Sequence, residues 1–248
     1  SVPEPADVLR MFAGTPGLVL FDSALQQGRL GRYSFLTADP LVSFEIQQAT
    51  FGSDPFASVR ESLSELNERF ELHRIPDLPP FQGGVAGVLC YELGGCWERV
   101  ARTGKDEFQL PDAWFGVYDW VLAWDHDQDR AWILSHGLPA IEQCDKNGLA
   151  SILDNADHEA CQKRATARVQ GVLAKLDATS NQPAQMAIKS DALVRSLAPD
   201  QLSTQYPLSG WDGVTSDFSR DEYLKTVERV IEYIHAGDIF QANVSQRL

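Results

Sequence analysis

The amino-acid sequence predicts an α+β fold built largely from antiparallel sheets with flanking helices. Short apolar or alternating segments, each typical of a strand, follow one another along residues 1–176, and only two helical patterns interrupt them. Asp125–Asp129 has the composition of a hairpin turn and lies between two strand patterns, which favours antiparallel neighbours. No strand–helix–strand repeat is present, so a parallel sheet is not expected.

Three strand patterns and one helical pattern come first. Gly17–Phe21 is an apolar run, Arg32–Leu36 is a short second strand, and Val42–Ile46 alternates apolar with polar residues as a half-buried strand does. Asp54 and Pro55 then predict a helix start, with the aspartate at the cap and the proline in the first turn. The apolar face of that helix is predicted to contain Phe56, Val59, Leu63, Leu66 and Phe70.

Further strands are predicted in the middle of the chain. Gly83–Glu92 is glycine-rich, and its glycines are expected to permit close packing of backbones. They lack the Gly-Lys-Ser/Thr ending of a phosphate-binding loop, so no nucleotide site is expected there. Trp114–Trp124 is interpreted as one strongly β-prone strand, which returns through the Asp125–Asp129 turn into Ala131–Leu134.

The chain is predicted to consist of two parts joined by a linker. Residues 1–176 form an N-terminal α+β domain that ends with a helix over residues 158–176. Residues 177–216 are rich in Asp, Ser, Gln and Pro and are interpreted as a linker or a long surface excursion. Residues 217–248 are expected to begin a second domain with one helix and one strand.

The second predicted domain begins with strong helix signals. Ser219 and Glu222 have the spacing of a capping box, and Gly237 is expected to end the helix. Apolar and polar residues then alternate, which predicts a strand with polar side chains on one face. The polar set comprises Gln241, Asn243, Ser245 and Arg247. This strand is either half-exposed or lines a polar cleft.

Composition excludes several classes of protein. The net charge of −14 argues against a nucleic-acid surface, and it means that an anionic substrate needs locally placed cations. No apolar run reaches the length of a membrane span, and no signal peptide is recognisable. The four cysteines lack metal-binding spacing and are predicted to be reduced thiols. These features together predict a cytoplasmic protein without nucleic-acid or membrane partners.

The stretch Tyr233–Arg247, which reads YIHAGDIFQANVSQR, resembles the opening of the chorismate-binding domain. That domain is shared by anthranilate synthase component I, aminodeoxychorismate synthase component I and the isochorismate synthases. The match is long and unusual in composition. The resemblance implies that the predicted strand faces a chorismate cleft, with Gln241 and Ser245 as substrate-binding residues.

Position 241 separates branches of this family. Isochorismate and salicylate synthases resemble this stretch but carry lysine at the matching position, where it acts as a general base on water. Gln241 cannot remove a proton from water near neutral pH, because an amide has no suitable pKa. The residue therefore favours the branch that uses ammonia.

Two segments of the N-terminal domain resemble aminodeoxychorismate synthase component I more closely than anthranilate synthase. They are Pro80–Gly94 and Pro111–His126. Together with position 241, they imply the amination of chorismate to 4-amino-4-deoxychorismate, on the way to 4-aminobenzoate and folate. Anthranilate synthase component I remains an alternative, as does a non-catalytic module that binds an amino acid or docks a partner.

The family forms a tryptophan pocket in its N-terminal half. Phe21–Ser23 and Arg32–Leu36 resemble the segments that build it, and Ser23 and Arg32 match positions implicated in effector binding. An arginine suits a ligand carboxylate because its donors form a fork. A strand-end serine and an exposed arginine are the structural alternative, and both interpretations stay open.

The resemblance also implies a cofactor and partners. The family binds chorismate through Mg²⁺ held by glutamates, and a glutamine amidotransferase subunit supplies the ammonia. Those glutamates and a catalytic lysine are expected downstream of Leu248, so no catalytic residue and no metal ligand is assigned within this chain. We therefore expect a truncated chorismate-binding domain, and we expect residues 1–248 alone to be inactive.

Overall fold

Every strand pairing that the computed structural model describes is antiparallel, which confirms the predicted α+β class. The described residues are 3–24, 31–70, 74–99, 101–102, 108–139, 158–179 and 203–248. The chain divides into two units, the first formed by Ser1–Ala101 and Leu110–Asp191, the second by Arg102–Gln109 and Ala192–Leu248. The predicted boundaries at residues 176 and 216 stay predictions, because most of that linker lies outside the described residues.

The elements are numbered in chain order. The helices are α1 (Pro5–Met11), α2 (Ala57–Phe70), α3 (His158–Thr179) and α4 (Arg220–Ala236), and a 3₁₀ helix covers Tyr91–Cys96. The strands are β1 (Val19–Phe21), β2 (Tyr33–Thr37), β3 (Val42–Ile46), β4 (Gly84–Leu89), β5 (Ala113–Tyr118), β6 (Trp120–Asp125), β7 (Arg130–Ser135), β8 (Tyr206–Pro207) and β9 (Thr215–Ser216).

The first unit contains two sheets, and the chain passes from one sheet to the other and back. One sheet has the order β1-β2-β6-β7 and the other the order β3-β5-β4. The chain crosses from the first sheet to the second between β2 and β3, at Asp39 and Pro40. It crosses back between β5 and β6, at Asp119. At the first crossing Asp39 adopts a left-handed φ of 53°, a conformation that aspartate tolerates better than most residues.

The prediction of one continuous strand over Trp114–Trp124 is wrong. β5 pairs with β3 and β4, whereas β6 pairs with β2 and β7, so the ladder stops at Asp119. β-Propensity is high on both sides of this residue, but propensity carries no information about which neighbour a strand will find. The predicted turn and return strand are confirmed, since β6 and β7 form a hairpin with Asp125 opposite Arg130.

Helices α1 and α3 supply the core that covers the first sheet. The buried cluster consists of Val8, Phe12, Leu36, Ala38, Trp120, Leu122, Trp124 and Val172. Trp120 is 1% exposed, and its indole N–H donates to the carbonyl of Ala38 at 2.7 Å, so burial leaves its polar atom satisfied. Sequence reasoning missed α1, a helix of 7 residues whose start signals are Pro5 and Asp7 in its first turn.

Helix α2 packs on the second sheet, but it begins later than predicted. Asp54 Oδ1 accepts the amide N–H of Phe56 at 2.9 Å, which holds a turn before the helix starts at Ala57. Val59 and Leu66 are buried as predicted, whereas Leu63 is 38% exposed and lies off the buried face. The side chain of Phe70 is outside the described residues.

The glycine-rich strand β4 needs one of its glycines for close packing, as predicted. A Cβ added at Gly87 would lie 2.0 Å from the carbonyl oxygen of Trp114 on β5. Only a residue without a side chain lets the two backbones approach this closely. The strand ends at Leu89, three residues before the predicted end, because the 3₁₀ helix begins at Tyr91.

In the second unit, helix α4 has the ends that the sequence predicts. The Ser219 side chain accepts the amide N–H of Glu222, and the Glu222 side chain accepts the Ser219 amide N–H, which completes the capping box. Gly237 follows the helix with a left-handed φ of 81°. No residue of α4 is buried.

The strand predicted after Gly237 is not formed, because residues 240–248 have no ladder partner in the described part of the chain. The described residues hold the far end of the segment. The Asp217 amide donates to the Arg247 carbonyl at 3.2 Å, and the Arg247 amide donates to Asp217 Oδ1 at 2.9 Å. Alternation predicts which side chains share a face, but a strand also needs a partner for its backbone groups.

Among the described residues, no helix is long and apolar enough to cross a membrane. In the described part of the chain, Cys90, Cys96 and Cys161 form no disulfide with one another, and their reduced state stays a prediction. The remaining cysteine, Cys144, lies outside the described residues.

Candidate functional site

A buried serine hydroxyl organises the predicted effector region of the first unit. Ser34, on β2, is fully buried, and its Oγ donates to Asp22 Oδ1 at 3.0 Å. The same oxygen accepts the Ser23 amide N–H at 3.0 Å and lies 2.8 Å from His126 Nε2. Because a hydroxyl has one proton to donate, the contact with His126 requires the imidazole to carry a proton on Nε2.

Ser23 is fixed by two bonds at the end of this network. Its amide donates to Ser34, and its hydroxyl donates to the carbonyl of Tyr33 at 2.6 Å. The hydroxyl proton of Ser23 is therefore used in a hydrogen bond within the protein. Its Oγ could take part in ligand binding as an acceptor, through its lone pairs. Ser23 is half-buried, so a ligand could reach it.

Arg32 is already paired with a carboxylate. Its Nε lies 3.1 and 3.0 Å from the two oxygens of Asp125, and its Nη2 lies 2.6 Å from Oδ2. The arginine hydrogen bond is the largest cause that holds the pKa of Asp125 below its usual value. Among the described residues, this geometry uses Nε and one N–H of Nη2, so the remaining N–H groups of Nη1 and Nη2 could still meet a ligand carboxylate. The effector role of Arg32 stays a prediction.

Sequence reasoning missed Asp125 and His126 as members of this region. Asp125 was assigned only to a hairpin turn, but it is 3% exposed and also accepts the amides of Asp127 and Gln128 at 3.1 and 3.2 Å. It is the last residue of β6 and pairs with Tyr33 on β2, so the turn that follows β6 lies beside β2. Aspartate is common at the start of a hairpin turn, where it accepts backbone amides. Composition alone therefore does not reveal that Asp125 is buried and paired with Arg32.

Aromatic rings adjoin the same part of the first sheet. Phe35 and Phe21 each meet the ring of Phe81 edge to face, at centroid distances of 5.8 and 6.5 Å. Tyr33 stacks on Phe35 at 6.0 Å, and the Arg32 guanidinium lies 4.8 Å from the Tyr33 ring. This part of the sheet therefore combines an apolar aromatic surface with a charged rim, which suits recognition of a small aromatic molecule.

The predicted substrate residues belong to the second unit. Gln241 and Ser245 are both exposed on the extended segment that follows α4. Neighbouring Gln246 accepts a hydrogen bond from the Ser216 hydroxyl at 3.4 Å, which ties the segment to β9. The structure thus places Ser23 and Arg32 around one network in the first unit, and Gln241 and Ser245 on one segment of the second.

The described residues bring together no group of three or more His, Cys, Asp or Glu side chains that could hold a metal ion. The Mg²⁺ that the family resemblance implies stays a prediction.

Comparison with known proteins identifies relatives of one kind. The profile of a family described as chorismate binding enzyme matches residues 21–248. Anthranilate synthase component 1 from Thermus thermophilus is 29% identical over 243 residues, which cover 97% of this chain and 43% of that protein. Aminodeoxychorismate synthase component 1 is 23% identical in Bacillus subtilis, over 90% of this chain and 41% of that protein. The Escherichia coli protein of the same name is 25% identical, over 94% and 42%.

One solved structure is also similar. It is the crystal structure of anthranilate synthase component I from Streptococcus pneumoniae TIGR4, with a TM-score of 0.44 and 18% sequence identity over 86% of this chain and 40% of that chain. The present chain thus spans about two fifths of the length of the relatives named here.

Proposed function

This chain belongs to the family of chorismate binding enzymes, and on that premise we propose that it is the N-terminal portion of an aminodeoxychorismate synthase component I. Gln241 carries the amination part of this proposal, and the resemblance of Pro80–Gly94 and Pro111–His126 favours aminodeoxychorismate synthase over anthranilate synthase. An amide cannot activate water as a general base, so the chorismate cleft is expected to admit ammonia as the nucleophile. Gln241 and Ser245 are exposed on their segment and are available to contact the substrate.

The proposed reaction joins ammonia to chorismate with loss of one water, giving 4-amino-4-deoxychorismate. We expect a glutamine amidotransferase subunit to supply the ammonia in the cytoplasm. We also expect chorismate binding to require Mg²⁺, held by residues other than those described above. Residues 1–248 alone are expected to show no turnover, because the activity is proposed for a protein of the relatives' full length.

Anthranilate synthase is the second candidate. It is favoured by the relative from Thermus thermophilus, which is 29% identical to this chain. Both reactions consume chorismate and ammonia, but only the formation of anthranilate also releases pyruvate. The two candidates therefore differ in a product that is simple to measure.

The test uses the protein encoded by the complete reading frame that contains this sequence. It is incubated with chorismate, ammonium and Mg²⁺, and the products are analysed by chromatography with mass detection and a pyruvate assay. We expect 4-amino-4-deoxychorismate without pyruvate. Equimolar anthranilate and pyruvate would establish the second candidate, and incorporation of water in place of ammonia would overturn the argument from Gln241.

A further inference from the structure

A cavity of about 530 Å³ lies in the first unit, where the chain crosses between the two sheets. Helix α3 lines it with the basic residues Arg164, Arg168 and Lys175, and the two crossings contribute Asp39 and Asp119. The cavity is distinct from the predicted effector region, since neither Ser23 nor Arg32 lines it.

The basic residues form a local concentration of positive charge in a chain whose net charge is −14. Arg168 Nη1 donates to Asp39 Oδ2 at 2.7 Å, and these two side chains are 33% and 51% exposed. Lys175 Nζ donates to the hydroxyl of Thr15 at 3.2 Å. Partly exposed ion pairs contribute little to stability, so a ligand carboxylate could compete for Arg168 at small cost.

Aromatic rings adjoin the cations. The Arg168 guanidinium lies 5.9 Å from the ring of Trp120, and Lys175 Nζ lies 4.6 Å from the ring of Phe12. The two rings are 5.7 Å apart and both line the cavity. Phe12 and Trp120 are only 2% and 1% exposed, so an apolar body attached to a carboxylate would meet the small exposed part of these rings next to the cations.

Asp119 lines this cavity and has a carboxylate oxygen without a hydrogen-bond donor among the described residues. The residue is 3% exposed, and its Oδ1 has no hydrogen-bond partner among the described residues. A buried acceptor without a donor is costly, and unmatched buried polar groups of this kind are uncommon in folded proteins. Asp119 lines the cavity, so a donor on a bound ligand could pair with Oδ1 if the carboxylate turned this covered oxygen toward the cavity.

We propose that this cavity binds a small carboxylate that carries its own hydrogen-bond donor on the adjacent carbon, as α-amino and α-hydroxy acids do. Arg168 and Lys175 would hold the carboxylate, and Asp119 would accept from the ammonium or hydroxyl group. Oδ1 of Asp119 is itself covered, so we expect the carboxylate to rotate toward the ligand. The inference depends on the cavity and holds for either of the two reactions considered above.

Calorimetric titration of the 248-residue protein tests the proposal with four probes that share a phenyl ring. L-Phenylalanine and L-3-phenyllactate carry both required groups, 3-phenylpropanoate lacks the donor, and L-phenylalaninamide lacks the carboxylate. We expect the first two to bind saturably. The third should bind about tenfold more weakly, the ratio expected for loss of one hydrogen bond to a charged group. The fourth should not bind.

Variants locate the site. Arg168→Gln is expected to weaken phenylalanine binding about tenfold or more, because a charge-assisted bond to the carboxylate is lost. The matched control is Lys163→Gln on the same helix, whose side chain is 74% exposed, pairs with Glu159 and does not line the cavity. Asp119→Asn is expected to weaken phenylalanine more than phenyllactate, because only the ammonium ligand loses a charge–charge interaction.

Nuclear magnetic resonance gives a second readout that needs no variant. Phenylalanine should shift the Trp120 indole N–H and the Gly171 amide, and leave the Ser23 amide unchanged. The proposal is overturned if none of the four probes binds, if the amide binds as well as the acid, or if the shifts centre on Ser23. Binding that survives Arg168→Gln but is lost in Ser23→Ala would likewise overturn it.

Discussion

Asp119 is buried, and one of its carboxylate oxygens has no donor among the described residues, which should be visible in the pH dependence of stability. Burial raises its pKa, while the nearby charges of Arg168 and His136 oppose the rise. As the pH increases from about 3.8 through the raised pKa, the unfolded chain releases the proton first, so the free energy of unfolding falls. We expect Asp119→Asn to remove this fall and to be more stable than the parent at pH 7, with an advantage that shrinks in acid.

Urea unfolding between pH 4 and 8 measures this difference. The exposed turn residue Asp129 supplies the control for an aspartate-to-asparagine change, as Asp129→Asn. An Asp119→Asn profile parallel to that of the parent would contradict the assignment.

Asp125 should show the opposite sign. The hydrogen bond from Arg32 lowers its pKa, so its stabilising effect is present above about pH 3.8 and is lost as the pH falls through the lowered value. Asp125→Asn should therefore lower the melting temperature by several degrees at pH 7, and the deficit should shrink in acid. Asp127→Asn is the matched control, since Asp127 lies 3.8 Å from the guanidinium and is 59% exposed. Equal losses in the two variants would refute a specific role for Asp125.

Gln241 makes a prediction about the full-length protein. Gln241→Lys places an ammonium group where we propose that ammonia reacts, and it should lower the rate of amination at least about tenfold, within the range assigned to positioned acid–base groups. The control is Gln246→Lys on the same segment, which changes the charge equally. Steady-state rates with ammonium as the nitrogen source compare the two, and similar rates would remove Gln241 from the cleft.

At the scale of secondary-structure elements, the contact between β4 and β5 depends on Gly87. Alanine there would bring Cβ to 2.0 Å from the Trp114 carbonyl, so the two strands would have to separate. Gly87→Ala should lower the free energy of unfolding by about 1–3 kcal/mol, as overpacking usually does. Gly94→Ala has nothing within 4 Å of the added Cβ and should change stability far less. Chemical denaturation of both variants measures the difference.

The elements also show how far the sequence can be interpreted. Val42–Ile46 was predicted with the observed ends, because its alternation and its pairing with β5 agree. Trp114–Trp124 gave no sign of its change of sheet, since apolar residues continue through both strands. The segment after Gly237 alternates as a strand does, yet it forms no strand, because it finds no ladder partner within the described ranges.

Some residues of the candidate sites could be predicted from the sequence, and others became visible only in the structure. Ser23 and Arg32 were found through their resemblance to a family, and the structure adds their bonds to Ser34 and Asp125. Asp125 and His126 meet β2 only through the register of β6, which a single sequence does not encode in any local pattern. The cavity beside Asp119 depends on two crossings that no periodicity predicts.

Across the whole molecule, stability should be uneven. Every residue of β6 is buried, whereas α4 has no buried residue. Local opening free energies range from near zero to the global value, so amides of α4 should exchange at least about a hundredfold faster than those of β6. Hydrogen exchange followed by mass spectrometry of the 248-residue protein measures this contrast. Uniform protection across both elements would contradict it.

The pairing of β2 with β6 has a consequence for synthesis of the protein. Arg32 and Asp125 are 93 positions apart, so β2 leaves the ribosome long before its central neighbour exists. Synthesis proceeds at about 5–20 residues per second, so the edge of β2 that pairs with β6 remains without its neighbour for on the order of 5–20 s. A chaperone that shields nascent strands should therefore raise the yield of folded protein. Proteolysis of stalled nascent chains that end before and after β7 would show protection of β2 only in the longer chains.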